Sequence, residues 1–598
     1  MNKLFFTLVF MVFPASLFSQ GFPDHSIHKE QSDFYKNLGI TSIESFDSLQ
    51  GFQKMDRLKN QKDYELSKRV FGYHPYWGGS NYLNYQWDLL SDLCYFSYEV
   101  DAATGNPTTV HDWYTSEAID LALANDVKVH LCVTIFSGHY TFFNSATAQQ
   151  TLIDNVIQMI DERGANGVNM DIEAISSSLS NELTSFLINL SNQLHAALPE
   201  AELSIAAPAV NWSGTYDVST LKDYVDLFMI MAYDYYWNGS SQAGAVSPLY
   251  SMTSSYDYNF SKTISYYQSQ GVPKIKLLMG VPYYGRQWPT QGPIAPSNTT
   301  ASGTAYTYRY VKDNTSGYYS NENKKWEANS FSPYYSFENN GWNQCFMEDS
   351  YSLGKKYDIV NRRQVVGIGI WALGYDNGYS DLWDLISGRF TTEAQLTLSD
   401  TIFDSGGPTF NYYDNELYTY LITVPENSTI ELVFTDFGLE PGYDSLWVYD
   451  GPGTNNPKIG GFSGNALPGT LSSSGNSLLL EFNSDGATTG SGWEAVYDVF
   501  TAMPENKSNS LVSLKASPNP FTSKLSVSFS LGKSRDIEFR VYSINGQLIY
   551  KGAPEKYPKG GNVISVDKGI LRNLKPAIYI ISLTSDGRLI GQGSIVKQ

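Results

Sequence analysis

Cysteine is scarce, with three in 598 residues. Cys94 and Cys132 lie in apolar, strand-like runs, Cys345 stands apart, and none belongs to a CxxC pair. Such a set supports neither a zinc site nor a disulfide scaffold; buried thiols packing as small hydrophobes are expected instead. Basic charge is also short: 40 Lys+Arg against 60 Asp+Glu give −20 and a pI near 4.8. That balance repels a phosphate backbone, so no nucleic-acid partner is expected. Beyond the first residues, no apolar stretch approaches the roughly 20 residues that a transmembrane helix needs. The chain has no GxSxG elbow, no HExxH and no Walker motif, so serine-hydrolase, zinc-protease and nucleotide-binding readings have no support. What is present is 42% hydrophobic residues, enough for real cores, and 15% aromatics, led by 44 Tyr. A surface that is polar without heavy charge suits neutral ligands such as sugars, although a compositional habit of the source organism explains the figure equally well. At roughly 100–200 residues per domain the length corresponds to three or four domains.

The two ends differ from the middle. Lys3 precedes an apolar run from Leu4 to Phe13, followed by small residues up to Ser19-Gln20. A basic start, about ten apolar residues and a small residue near the cut describe a secretory signal peptide over 1–20. From residue 502 onward the charge reverses to +8, leaving −28 on the rest, and the polar stretch PENKSNS (504–510) marks a boundary. The tail then alternates short strands with turn residues. Its SPNPF (517–521), YSINGQLIY (542–550), AIYIISL (577–583) and closing IVK resemble the C-terminal sorting domain of the type IX secretion system. The resemblance, assigned to 511–598, implies the type IX machinery as a partner and a secreted or surface-attached product.

Between the ends, eight near-continuous apolar runs alternate with helical patterns over about 300 residues. They are RVFGYHPYW, DLCYFSYEV, KVHLCVTIF, GVNMDIE, LSIAAPAV, LFMIMAYD, KLLMGVPYYG and VVGIGIWALG. Strands buried on both faces read this way, and the helices between them carry apolar residues at i, i+3, i+4, i+7, as in Ile153, Val156, Ile157 and Ile160. The expected fold class is α/β, a (β/α)8 barrel over 69–388. A small insertion is expected between Arg286 and about Val365, a segment too long for a plain connection. Residues 21–68 are polar and charged, and the sequence leaves open whether they form a linker or a packed extension. From 396 to 501 the pattern is all-β, a sandwich, and the sorting domain is a second all-β unit.

The sharpest chemical feature is NGVNMDIE (166–173). Alternate side chains of a strand share a face, so Asn169, Asp171 and Glu173 point into the barrel and approach its C-terminal rim, while Val168, Met170 and Ile172 pack outward. Two carboxylates and an amide on one inward face are costly unless they interact. With FGYHPYW (71–77), MAYD (231–234), GVPYYGR (280–286) and GIGIWALGYD (367–376), this segment resembles glycoside hydrolase family 18, the chitinase-like family, in its GVNxDxE branch. The resemblance implies Glu173 as general acid, Asp171 as the group steadying the substrate's own 2-acetamido group, Tyr233 bonding that group's oxygen, and Asp234 shaping the same subsite. It further implies Trp371 as an apolar floor under the sugar, with Tyr73, Asn169, Met231, Tyr284 and Arg286 lining the cleft. No cofactor is implied for catalysis. Two positions depart from the family: Asn166 and Asn169 replace acids, and VTIFSG (133–138) replaces a Ser-x-Gly-Gly motif. An amide at 169 is expected to donate to Asp171 and keep it ionised. Trp77, Trp212, Trp237 and Trp288 follow strands and are candidates for sugar-stacking platforms, each equally readable as packing. His74 is expected to be structural and His195 to lie at the surface.

Within the sandwich, 434–451 and 482–497 resemble a CUB domain. Glu440, Asp444 and Asp485 match acidic positions that bind calcium in many such domains, and hard oxygen ligands suit that ion; the usual disulfides are absent. The function expected is a secreted glycosidase cleaving β-1,4 bonds of N-acetylglucosamine polymers by substrate-assisted, retaining hydrolysis. Alternatives are an endo-β-N-acetylglucosaminidase on peptidoglycan or N-glycans, and a non-catalytic sugar-binding surface protein. A lectin, however, has no need of an acid.

Overall fold

A computed structural model describes residues 25–40, 43–50, 64–394, 396–501, 512–543, 548–566, 569, 571, 574–585 and 588–597. The expected signal peptide and the PENKSNS boundary lie outside the described residues. Eight parallel strands form the centre: β1 (Arg69–Pro75), β2 (Asp92–Val100), β3 (Lys128–Ile135), β4 (Gly167–Ile172), β5 (Glu202–Pro208), β6 (Leu227–Met231), β7 (Leu277–Pro282) and β8 (Gly367–Trp371). Each pairs with its neighbour in chain order, and β8 pairs back onto β1, so the sheet closes into a (β/α)8 barrel. Closure explains the unbroken apolar runs, since each strand has a filled interior on one side and helices on the other. The helices begin and stop where their sequences say. Ser145 caps Ala146–Arg163 by accepting from the Ala148 amide at 3.1 Å, and Gly164, at φ 67°, ends that helix in the left-handed region that glycine tolerates.

The expected insertion is a five-stranded antiparallel sheet, in the order Thr304–Thr307, Tyr284–Thr290, Trp342–Phe346, Ser332–Glu338 and Lys324–Glu327. The sandwich follows as two four-stranded sheets spanning Ser399 to Thr501. Barrel and sandwich form one compact unit, and 502–598 form another. The joint within the first unit is polar and aromatic. Arg362, ending helix Ser350–Arg362, reaches Asp400 at 2.7 Å and the hydroxyls of Tyr420 and Tyr497 at 3.2 and 3.1 Å. Arg363 lies 3.8 Å from the Tyr418 ring centre. At the N-terminal end of the barrel, Arg69 bridges Asp92 and Glu202, and His130 holds Asp92 at 2.9 Å.

The second unit pairs Lys515–Ser517, Ser526–Leu531 and Gly560–Ser565 in one sheet. Its other sheet is built on Arg535–Ser543 and Ala577–Ser585. All three cysteines are buried and free, as expected. Among the described residues no helix is long and apolar enough to cross a membrane.

Removing one partner of a buried ion pair strands the other. Arg362→Ala is therefore expected to lower the stability of the barrel–sandwich unit by about 3 kcal/mol in denaturant unfolding. An unchanged midpoint would show that Asp400 needs only Lys355, which lies 2.6 Å away.

Candidate active site

The C-terminal ends of β4, β6, β7 and β8 converge on one pocket. Asp171 is the penultimate residue of β4, and Glu173 stands one residue beyond its end. Ala174 follows with φ 56°, a left-handed turn that costs a non-glycine residue roughly 1–2 kcal/mol. Asp234, after β6, sits at φ 53°. Backbone held in such sparsely populated conformations is concentrated at functional sites.

Asp171 is fully buried and Glu173 is 8% exposed. Burial pushes the Asp171 carboxyl well above its ordinary range. Burial, helped by the charge of Asp171, raises Glu173 to about 8. Both effects follow from desolvation and from like charges placed side by side. Asp234 is a contrast. Its burial would raise it, but the Arg286 guanidinium at 2.9 Å, His25 at 2.7 Å and the Tyr284 hydroxyl at 2.6 Å together hold it down at about 2. The site thus separates a proton-holding carboxyl from a firmly ionised one, the pattern of an acid and an electrostatic anchor.

The structure brings together Glu173, Asp171, Tyr233, Asp234, Tyr284, Arg286 and Trp371. Met231 lines the same opening beside Trp212. Asn169 and Tyr73 lie one layer deeper, fully buried, with the Tyr73 hydroxyl donating to Asn169 Oδ1 at 2.9 Å. The expectation that Asn169 donates to Asp171 is not met, because its amide is spent on Ser204 Oγ at 2.9 Å. Asp171 Oδ1 has no hydrogen-bond partner among the described residues, and burial drives this carboxyl toward its neutral form rather than holding it ionised. Of the four tryptophans, Trp288 is fully buried, and Trp77 is buried beneath Tyr35 of the segment that precedes the barrel. Trp212, 42% exposed, and Trp237 border the opening next to Glu173 and Asp234. His74 is buried against the Tyr85 hydroxyl at 2.9 Å, and His195 is partly exposed against Asp226 at 3.0 Å.

What the sequence left open is the segment before the barrel. It packs over the barrel mouth as helix Ile27–Asn37, capped by Ser26, and a second short helix, Ile43–Gln50. His28 is fully buried, its Nδ1 2.8 Å from Asp171 Oδ2 and its Nε2 2.9 Å from the Tyr233 hydroxyl. Its ring stacks on Trp371 with centres 3.6 Å apart. Ser26 Oγ donates to Glu173. Gln31 Oε1 accepts from Trp371 Nε1 and the Tyr375 hydroxyl, each at 2.8 Å. Glu30 forms a two-point pair with Arg286 at 2.9 and 3.1 Å. In sequence the only hint is that two of the chain's seven histidines, His25 and His28, fall in this short polar stretch.

In the sandwich, Glu440, Asp444 and Asp485 bring carboxylate oxygens within 4.8 Å of one another. Asp444 is buried, accepting from the Asp485 amide at 2.9 Å and from the Tyr412 hydroxyl. The Glu440 carboxyl is raised by desolvation and by the charges of Asp485, Asp444 and Asp414.

Residues 69–376 match the family model of glycosyl hydrolases family 18, residues 392–497 that of the CUB domain, and residues 515–597 that of the secretion system C-terminal sorting domain. The chain is similar to YdhD of Bacillus subtilis, 29% identical over 235 residues, covering 38% of this chain and 52% of that protein. It is similar to the cortical fragment-lytic enzyme of Bacillus anthracis, 22% identical over 320 residues, covering 51% of this chain and 69% of that protein. It is also similar to human cubilin, 39% identical over 102 residues, covering 15% of this chain and 3% of that protein. The chain therefore spans about half the length of YdhD and a small fraction of cubilin. Among solved structures, the Bacillus cereus spore cortex-lytic enzyme SleL aligns with TM-score 0.46 at 20% identity, over 55% of this chain and 75% of that one.

Asp234 held at about 2 is a stability statement. Its depressed carboxyl contributes stability that is present above the ordinary carboxylate pKa and lost as pH falls through about 2. Arg286→Met is expected to cost about 2 kcal/mol or more in unfolding free energy at pH 6, with the difference from wild type shrinking steadily below pH ~4. A difference independent of pH would mean that Arg286 acts by packing alone.

Proposed function

Because the chain belongs to glycosyl hydrolases family 18, we propose that it is a secreted glycosidase that cleaves β-1,4 bonds beside N-acetylglucosamine by substrate-assisted, retaining hydrolysis. The observation that carries this is the pairing of Asp171 with Glu173, whose carboxyl keeps its proton to about pH 8 at the barrel mouth. A glycosidic oxygen is a poor leaving group and needs that proton as the C1–O bond breaks. The acetamido oxygen of the bound sugar closes on C1, taking the place that a second carboxylate fills in the two-carboxylate scheme. Tyr233 aligns that oxygen, and the amide N–H of the bound sugar donates to Asp171, favouring its charged form, which stabilises positive charge on the ring that forms. Glu173, now a carboxylate, takes a proton from water as it attacks C1, and two inversions restore the starting configuration. Trp371 gives the sugar ring an apolar floor, and Arg286 with Tyr284 fixes Asp234 beside Tyr233.

Chitin is the default substrate. An endo-β-N-acetylglucosaminidase acting on peptidoglycan or N-glycans would use the same residues, and likeness to an enzyme named for lysing cortical fragments favours peptidoglycan among these. A sugar-binding role without turnover leaves the proton-holding Glu173 unused. The sorting domain supports export through the type IX machinery to the medium or the cell surface.

We further propose that Glu440, Asp444 and Asp485 hold a calcium ion. Three converging carboxylates fit a hard divalent ion. Calorimetric titration with calcium should show binding and a higher melting temperature, both abolished in Asp444→Asn; no heat and no shift would remove the site.

Glu173→Gln keeps the shape and loses the acid. Turnover of fluorogenic chitobiose or chitotriose, or of peptidoglycan fragments, should fall about a thousandfold, the upper part of the range for general acid catalysis, with sugar binding retained. With the site covered the acid form is lost as pH rises through about 8, and a bound sugar buries the same carboxyl, so the alkaline limb of the rate profile should lie well above the ordinary carboxylate range. Asp171→Asn removes the carboxyl that competes with Glu173 for ionisation and should move that limb to lower pH. A limb near the ordinary carboxylate range in wild type, or full turnover in Glu173→Gln, would contradict the assignment.

A further inference from the structure

Every polar group that the proposed mechanism would aim at a sugar is already engaged by the chain's own N-terminal segment. His28 contacts the acetamido-binding pair, Asp171 and Tyr233, while stacked on Trp371. Ser26 contacts Glu173, and Glu30 spans Arg286. We propose that this segment is an autoinhibitory plug that keeps the enzyme latent, with His28 standing in for the substrate's 2-acetamido group. The proposal rests on the hydrolase reading above and adds how that site is kept closed.

The chemistry of mimicry is direct. A neutral imidazole carries one N–H donor and one bare nitrogen acceptor on opposite sides of a flat ring. An acetamido group likewise offers an N–H and a carbonyl oxygen. In the tautomer with its proton on Nδ1, His28 donates to Asp171 Oδ2, and its bare Nε2 accepts from the Tyr233 hydroxyl. These are the donor and acceptor roles assigned above to the sugar's amide N–H and oxygen. Burial keeps His28 neutral, with its pKa lowered to about 4 against the pull of Glu173 and Asp234. Ser26 places a hydroxyl oxygen at the carboxyl of Glu173, where the glycosidic oxygen would sit. Stacking on Trp371 fills the face a pyranose ring would cover.

The plug is fixed along its length. The Glu30–Arg286 pair is bidentate, and Tyr35 stacks on Trp77 with ring centres 5.4 Å apart. Because the segment belongs to the same chain, its effective concentration at the cleft is in the millimolar range for a short tether. A short oligosaccharide must displace it, and its apparent affinity falls by the fraction of molecules that are open.

Two full-length variants test this. His28→Ala removes the amide mimic, and Glu30→Ala removes the anchor on Arg286; neither residue takes part in the proposed chemistry. Hydrolysis of fluorogenic chitotriose at low concentration should rise at least tenfold in each. Hydrogen exchange over 27–37 should quicken, and a synthetic peptide of residues 24–38 should inhibit the variants competitively. Variants that lose protection over 27–37 yet hydrolyse no faster than an active wild type would overturn the plug, as would variants in which that helix stays protected and the rate is unchanged. If neither wild type nor variant hydrolyses any sugar, the hydrolase reading fails and binding of N,N′-diacetylchitobiose decides the plug separately. Binding to the variants tenfold or more tighter than to wild type upholds it; equal affinity, or no binding to any form, overturns it.

Discussion

Two carboxyl groups, Asp171 and Glu173, lie side by side at the mouth of a closed barrel, and both are buried. Neighbouring carboxylates withdrawn from water cannot both ionise without a compensating charge, so protons are retained there. The Arg286 guanidinium is committed instead to Asp234 and Glu30. That division of charge leaves a carboxyl that holds its proton and a fixed anion within one pocket. The left-handed turn at Ala174 and the left-handed φ of Asp234 are local backbone costs borne at the same place.

The same constraint explains why the N-terminal segment has the composition it has. A pocket lined with Glu173, Asp171, Tyr233 and the indole N–H of Trp371 cannot be closed by an apolar helix without leaving polar groups unpaired, each at a cost of roughly 1–3 kcal/mol. His28, Ser26 and Gln31 satisfy these groups one by one. A sugar bound in the manner proposed would do the same. Plug and substrate are thus alternative answers to one set of unsatisfied groups, and the rigid barrel need not change between them.

Much of this was legible in sequence because it is local. The alternation in NGVNMDIE gave the inward set, and the eight apolar runs became the eight strands. The surplus between Arg286 and Val365 became the inserted sheet. What was not legible depends on partners far apart in the chain. Ser26 meets Glu173 across 147 positions and His28 meets Tyr233 across 205, and no periodicity within residues 21–68 encodes either contact. Asn169 failed as a predicted donor to Asp171 for a similar reason: strand alternation gives its face, but the competition won by Ser204 on the next strand is a matter of register. Trp77 and Trp288 followed strands just as Trp212 did, yet both are buried, Trp77 beneath Tyr35 of the N-terminal segment, while Trp212 is exposed.

The central claim is that Glu173 protonates the leaving oxygen while the sugar's own amide attacks its ring carbon. Proton NMR of the first product released from a chito-oligosaccharide, recorded before mutarotation, tests it most directly. The β-anomer must appear first; initial release of the α-anomer would contradict the mechanism.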